Sequence, residues 1–120
     1  PFVISKDLES LAAKHEGESL TRRAQKLFAS LGLDAELARG AARKVRAGKG
    51  KRRGRRYRRP KSVLVVLSEF NGAERAFRNL AGVDVTTAAQ LNTEMLAPGG
   101  DPGRLMVISQ PALKALEARL

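Results

Sequence analysis

Four short apolar runs, separated by longer segments with helical spacing, set the pattern of this chain. They cover residues 2–4 (FVI), 63–67 (VLVVL), 83–85 (VDV) and 105–108 (LMVI). Short runs rich in β-branched residues are typical of strands, and a continuous apolar run indicates a strand covered on both faces. We therefore predict four strands, with residues 63–67 at the centre of the sheet.

The clearest helical stripe lies between the first two runs and ends at Gly32. Its apolar members, at positions i, i+4, i+7, i+8 and i+11, are Leu20, Ala24, Leu27, Phe28 and Leu31. This spacing predicts an amphipathic helix. Ahead of it, the segment around Leu8 and Leu11 predicts a short helical turn.

A second helix is predicted to begin at Asp34 as its N-cap and to continue until Gly48. Its thin apolar stripe would consist of Leu37, Ala41 and Val45, and its basic stripe of Arg39, Arg43 and Arg46. Both stripes have near-helical spacing. The pattern therefore predicts a helix with one strongly basic face.

Three further helices are predicted after the central strand. The first covers residues 73–80, the second is capped by Thr87 and covers residues 88–96, and the last opens at Pro111. Strands that alternate with helices indicate an α/β domain with a mainly parallel sheet and helices on both faces. We predict one such domain over residues 1–120, with a basic arm at residues 46–61.

Charge is distributed very unevenly along the chain. The formal net charge is +11, yet residues 37–68 contain thirteen Lys or Arg and no Asp or Glu. The rest of the chain is nearly neutral. A block of uncompensated cations favours a polyanionic partner.

The densest part of this block is RAGKGKRRGRRYRRPK at residues 46–61, with seven Arg and three Lys. Such a composition is found in disordered tails, nuclear-import signals, polybasic membrane-binding patches and nucleic-acid contacts. Its internal position argues against a tail, and its arginine bias favours forked contacts to phosphate. Tyr57, among six arginines, could stack on an exposed base. We favour RNA, because no helix suited to a DNA major groove is evident. The alternative is an interaction module that docks an acidic protein such as an import receptor or assembly chaperone.

Catalysis, cofactors and metals are not expected. The chain has no cysteine and a single histidine, His15, in a polar turn. The glycines around Lys49 fit neither a phosphate-binding loop nor a dinucleotide fingerprint. Only Asp7 and Glu69 could meet at the carboxyl ends of strands, and no nucleophile accompanies them. No run is long enough for a membrane span, so no membrane partner is expected.

Several segments resemble the large-subunit ribosomal protein L4 family in its archaeal and eukaryotic form. The matching stretches, in order, are residues 44–59 (KVRAGKGKRRGRRYRR), 62–69 (SVLVVLSE), 76–80 (AFRNL), 82–84 (GVD), 91–92 (LN), 96–100 (LAPGG) and 102–105 (PGRL). The opening PFVISKDLESL is also similar to the family. The chain departs from the pattern at Asp101 and at residues 108–111, and it lacks the family's N-terminal half and long loop. We therefore predict a C-terminal portion of that fold.

The resemblance implies a three-layer α/β/α domain and a structural role in the large ribosomal subunit, with no enzymatic activity. Expected partners are large-subunit ribosomal RNA, neighbouring large-subunit proteins and, where it is a separate chain, the N-terminal half. The expected location is the cytoplasm, within the ribosome, and the expected roles are translation and subunit assembly. The predicted RNA-binding residues are Arg39, Arg43, Lys44, Arg46, Lys49, Lys51, Arg52, Arg53, Arg55, Arg56, Tyr57, Arg58, Arg59, Lys61 and Arg104.

Overall fold

The computed structural model describes residues 2–4, 7–11 and 18–119. The strands are β1 (Phe2–Ile4), β2 (Lys44–Val45), β3 (Tyr57–Arg58), β4 (Leu64–Leu67), β5 (Asp84–Thr87) and β6 (Met106–Ser109). The helices are α1 (Asp7–Ser10), α2 (Leu20–Ser30), α3 (Asp34–Ala41), α4 (Ala73–Arg78), α5 (Thr93–Leu96) and α6 (Gln110–Glu117). Short 3₁₀ turns occupy Lys49–Arg52 and Pro98–Gly100.

One sheet has the strand order β1-β6-β4-β5, and its neighbouring strands are all parallel. A separate antiparallel pair is formed by β2 and β3. Strand β4 lies between β6 and β5, and its four residues are all buried. The predicted α/β class and the central position of this apolar run are confirmed.

The two faces of β4 contribute to two separate cores, because successive side chains of a strand point to opposite faces. Val63, Val65 and Leu67 share one core with Phe28 of α2 and Phe77 of α4. The two aromatic rings pack against each other, with their centroids 5.5 Å apart. Helices α2 and α4 therefore cover this face of the sheet.

The opposite face of β4 is covered by α6. Leu64 and Val66 share the second core with Ile108 of β6 and Ala112 of α6, and Leu116 packs against it. Both faces of the sheet are thus buried under helices. This burial explains why the strand sequence is continuously apolar rather than alternating.

Local signals account for the ends of α2 and α6. The hydroxyl of Ser19 accepts from the N–H of Arg22 at 3.4 Å at the start of α2, and Gly32 follows the helix with φ 72°. The hydroxyl of Ser109 accepts from the N–H of Ala112 at 3.3 Å at the start of α6. The prediction that Pro111 lies in the first turn of α6 is confirmed.

The prediction of one helix from Asp34 to Gly48 is wrong in its second half. Helix α3 ends at Ala41, with Ala42 already extended at ψ 93°, and Lys44–Val45 is strand β2. The N-cap is Leu33, so Asp34 lies in the first turn instead. A longer helix would align cations on one face with no carboxylate, whereas the β-branched Val45 pairs with Tyr57 in a strand.

The prediction that Thr87 caps a helix is also wrong. Strand β5 continues through Thr87, which pairs with Leu67, and the N–H of Ala88 donates to the Leu67 carbonyl at 3.0 Å. Helix α5 begins only after Asn92, whose side-chain oxygen accepts from the N–H of Met95 at 2.9 Å. The β-branched side chain of Thr87 suits the end of a strand, so this residue extends β5 instead of capping a helix.

Candidate nucleic-acid interface

Strands β2 and β3 make most of the basic segment an antiparallel hairpin. We call residues 43–59 the basic hairpin. Lys44 lies opposite Arg58 and Val45 opposite Tyr57. The pairing extends one step further, because the N–H of Arg46 donates to the carbonyl of Arg56 at 2.8 Å. The chain direction of this segment is therefore defined by backbone hydrogen bonds.

The tip of the basic hairpin is a compact turn. The carbonyl of Gly50 accepts from the N–H groups of Arg53 and Arg55, each at 3.1 Å. Gly48 and Gly54 flank the turn, both with φ 76°. Residues with a Cβ rarely adopt that conformation, so these glycines let a chain dense in arginine reverse direction.

The cations of the basic hairpin are exposed and lack a counter-charge. Every residue of the hairpin except Gly50 is exposed, and none of its cations forms an ion pair with another residue that the structure describes. These cations are Arg43, Lys44, Arg46, Lys49, Lys51, Arg52, Arg53, Arg55, Arg56, Arg58 and Arg59. The result is a narrow positive surface that projects charge into solvent.

Tyr57 packs against two guanidinium groups of its own hairpin. The Cζ atom of Arg43 lies 4.4 Å from the ring centroid and that of Arg56 lies 5.7 Å away. Such contacts stabilise exposed sites by about 0.5–1 kcal/mol each. Tyr57 therefore contacts two neighbouring arginines while the residue as a whole remains 42% exposed. Its stacking on an RNA base stays a prediction.

The base of the hairpin meets the body through a close backbone contact. A Cβ built on Gly40 would lie 2.7 Å from the carbonyl oxygen of Ala81 and 2.9 Å from the Cβ of Ser62. The N–H of Ser62 donates to the carbonyl of Gly82 at 2.8 Å. Both chain segments that lead into the hairpin are thus fixed against the same turn of the body.

Arg39 reinforces this junction. Its Nε donates to Glu36 at 2.9 Å, and its Nη2 donates to the carbonyl of Lys61 at 2.7 Å. The hydrogen bond from Arg39 is the main cause that lowers the pKa of Glu36 below its ordinary value, against the opposing effect of partial burial. The predicted RNA contact of Arg39 must therefore come from the part of its side chain that these bonds leave exposed.

Arg104 points into the protein, which does not support the phosphate contact predicted for it. Its side chain is only 5% exposed. It donates to the carbonyls of Ser62 at 2.8 Å and Met95 at 2.9 Å, and to the carboxylate of Asp84 at 2.6 Å. The guanidinium of Arg104 thus satisfies acceptors near the starts of β4 and β5 and in helix α5.

Lys61 is partly neutralised by the same carboxylate. Its Nζ lies 2.9 Å from Asp84. Burial alone would raise the pKa of Asp84, but hydrogen bonds from Lys61 and Arg104 outweigh it and hold the pKa below its ordinary value. Lys61 keeps an exposed side chain and is a weaker candidate for RNA binding than the hairpin cations.

Comparison with known proteins identifies the family. Residues 2–119 match the model of the ribosomal protein L4/L1 family. The chain belongs to this family. The resemblance seen in the sequence is therefore confirmed.

Several curated relatives are archaeal proteins named large ribosomal subunit protein uL4. The Methanothrix thermoacetophila protein is 48% identical over 121 residues, which cover 100% of this chain and 45% of the relative. The Methanopyrus kandleri protein is 47% identical over 121 residues, covering 100% of this chain and 44% of the relative. The Haloarcula marismortui protein is 44% identical over 119 residues, covering 99% and 45%. The chain thus spans less than half the length of these relatives.

Sequence reasoning missed the role of Glu9. Its carboxylate accepts from the N–H of Ser68 at 3.0 Å, from the Ser68 hydroxyl at 2.7 Å and from the Ser109 hydroxyl at 2.8 Å. Burial would raise the pKa of Glu9, but these hydrogen bonds lower it below its ordinary value. One carboxylate therefore joins the carboxyl ends of β4 and β6. The available signal was its place in the short helix that follows the first strand.

The other candidates that the sequence offered were His15, Asp7 and Glu69. His15 and the side chain of Asp7 lie outside the described residues, so the predicted proximity of Asp7 and Glu69 stays untested. Within residues 2–4, 7–11 and 18–119, no group of three or more His, Cys, Asp or Glu is placed to hold a metal ion. No helix of that same part is both long enough and apolar enough to cross a membrane.

Proposed function

We propose that this chain is a structural component of the large ribosomal subunit and binds ribosomal RNA through the basic hairpin. The observation that carries the proposal is the set of exposed hairpin cations without a carboxylate partner among the described residues. The relatives' name, large ribosomal subunit protein, supports the location. The proposed partners are large-subunit RNA and adjacent large-subunit proteins, in cytoplasmic ribosomes.

The proposed mechanism is charge neutralisation rather than catalysis. Cations that meet phosphates release condensed counterions, and this release favours binding and lets phosphate backbones approach each other. A two-stranded hairpin is narrow enough to lie between RNA helices, while the fixed junction at Gly40 and Ser62 sets its direction. In this way the chain would also assist folding of the subunit RNA during assembly.

The salt dependence of binding tests this proposal. If about six to nine cations meet phosphates, the logarithm of affinity for large-subunit RNA should fall against the logarithm of salt concentration with a slope of about −4 to −8. Filter binding or fluorescence anisotropy at several KCl concentrations measures the slope. A slope near −1 would contradict the proposal.

Co-sedimentation supplies a second readout. The chain should remain with isolated large subunits through moderate salt. Retention by an acidic polypeptide together with loss from the subunits would instead support the acidic-partner alternative.

A further inference from the structure

A groove lies at the base of the hairpin, where strands β2 and β3 leave the body. We call it the base groove; it has a volume of about 450 Å³ and is lined by Arg39, Ala42, Lys44, Arg58 and Pro60. We propose that the base groove binds one unpaired nucleotide of the RNA. This inference rests on the proposed RNA-binding function and adds to it a specific kind of RNA feature.

The hairpin has two different faces, and only one belongs to this groove. Lys44 and Arg58 are directly opposite in the pairing, so their side chains lie on the same face. Val45 and Tyr57 form the next pair and occupy the other face, where Arg43 covers the tyrosine ring. The groove face therefore carries the cations Lys44 and Arg58, and the ring of Tyr57 does not fill the space between them.

Arg39 supplies a cation whose position is set before any ligand arrives. Its bonds to Glu36 and to the Lys61 carbonyl hold the guanidinium plane, while half of its side chain stays exposed, at 50%. A planar guanidinium can stack on a base and can also donate to phosphate. Fixing it in advance reduces the entropy lost on binding.

Part of the groove lining is apolar, which favours a nucleotide over a bare phosphate as the ligand. Ala42 is exposed and Pro60 is half-buried, and neither carries a side-chain donor. A phosphate of a continuous duplex would contact the cations but leave the apolar surface of Ala42 and Pro60 in contact with water. An unpaired nucleotide combines an apolar base face with flanking phosphates, and its volume suits a cleft of this size.

The charge of the groove argues against a neutral apolar ligand. The lining has three cations and no carboxylate, and only one of the three, Arg39, has a carboxylate partner among the described residues, Glu36. This excess disfavours a neutral apolar segment, because Lys44 and Arg58 would lose solvation without gaining a partner. An acidic peptide carries the right charge, and it enters the test below as a competing outcome.

The test compares two RNA duplexes that differ by one unpaired adenosine. We expect the chain to bind the bulged duplex about tenfold more tightly than the fully paired one, since burying roughly 50 Å² of apolar surface corresponds to about one decade in affinity. Anisotropy titrations of labelled RNA measure the ratio. The salt slope, determined in the same titrations, reports separately on the proposed RNA-binding function.

Two leucine substitutions, one inside the base groove and one outside it, test where the preference for bulged RNA arises. Ala42→Leu fills the base groove without changing charge and should reduce the tenfold preference to about twofold or less, with paired-duplex affinity unchanged. Ala47→Leu makes the same change at an exposed position of the hairpin outside the groove and should keep the preference. Both positions are exposed, so both variants should fold.

Each other outcome overturns the inference. Equal affinity for the two duplexes, or equal effects of the two variants, would show that the groove does not bind an unpaired nucleotide. A steep salt slope in the same titrations would still support RNA binding by the hairpin. Displacement of bulged RNA by a glutamate-rich peptide, sensitive to Ala42→Leu, would assign the groove to a protein partner. A shallow salt slope with both RNAs would instead contradict the proposed function itself.

Discussion

Arginine has opposite roles in the body and in the basic hairpin. In the body, Arg104 is 5% exposed and donates to two carbonyls and one carboxylate at 2.6–2.9 Å. In the hairpin, every arginine is exposed, and none forms an ion pair with another described residue. The same side chain therefore stabilises the fold where buried acceptors surround it and remains available to a ligand where they do not.

This contrast separates two properties, the stability of the fold and the affinity for RNA, which the net charge of the chain does not distinguish. Changes in the body should alter the free energy of unfolding and leave RNA affinity nearly constant. Changes in the hairpin should do the reverse. The following variants test that separation, beginning with the largest expected change in stability.

Arg104→Met should cause the largest loss of stability. Methionine replaces the arginine chain only as far as Nε and lacks the guanidinium group. The change leaves the carboxylate of Asp84 with Lys61 alone and removes donors from the carbonyls of Ser62 and Met95. Losing one partner of a buried charged pair costs about 3–5 kcal/mol, and we expect about 3 kcal/mol because Asp84 is one-third exposed, at 33%. Urea unfolding followed by circular dichroism measures the loss.

The matched control is Arg53→Met in the hairpin turn. It should change the free energy of unfolding by less than about 0.5 kcal/mol while weakening RNA binding. Similar stability losses in the two variants would contradict the division between body and hairpin.

Gly40→Ala should destabilise the junction between body and hairpin by about 2 kcal/mol. The added Cβ would lie 2.7 Å from the Ala81 carbonyl oxygen, so backbone must move. Gly50→Ala is the control, because its Cβ would meet only the flexible Arg46 side chain, at 3.3 Å. Thermal unfolding compares the two, and equal melting temperatures would show that the junction tolerates displacement.

Replacing Arg52, Arg53 and Arg55 together by Gln should have the smallest effect on stability, within about 0.5 kcal/mol. The salt slope for RNA should nevertheless become shallower by about 2–3, since each lost phosphate contact contributes about 0.7–0.9. Anisotropy titrations at several salt concentrations give the slope. An unchanged slope would mean that the tip of the hairpin does not meet phosphates.

The strands and the location of the charge were predictable because both depend on local composition. The run at residues 63–67 is apolar at every position and rich in valine, which is typical of a strand covered on both faces. The basic block was equally clear, because no carboxylate interrupts residues 37–68. These features indicated the α/β class and the candidate RNA-binding segment without tertiary information.

The structure differs most from the sequence-based expectations where distant residues decide local structure. Helix α3 ends at Ala41 because Gly40 lies against Ala81 and because Val45 pairs with Tyr57 across the hairpin. Arg104 turns inward because Asp84 is nearby in space, although it is twenty residues away in the sequence. Periodicity within a short window contains none of these long-range contacts.

The hydrogen bonds of Glu9 have a mechanical consequence for the hairpin. The basic hairpin leads directly into the start of β4, whereas Glu9 joins the opposite end of β4 to β6. A pull on the hairpin along β4 would load the hydrogen bonds to β5 and β6 in shear, many at once rather than one after another. The carboxylate at the far end adds resistance to sliding, so the strand that follows the hairpin is held by a neighbouring strand on each side and by Glu9 at its far end.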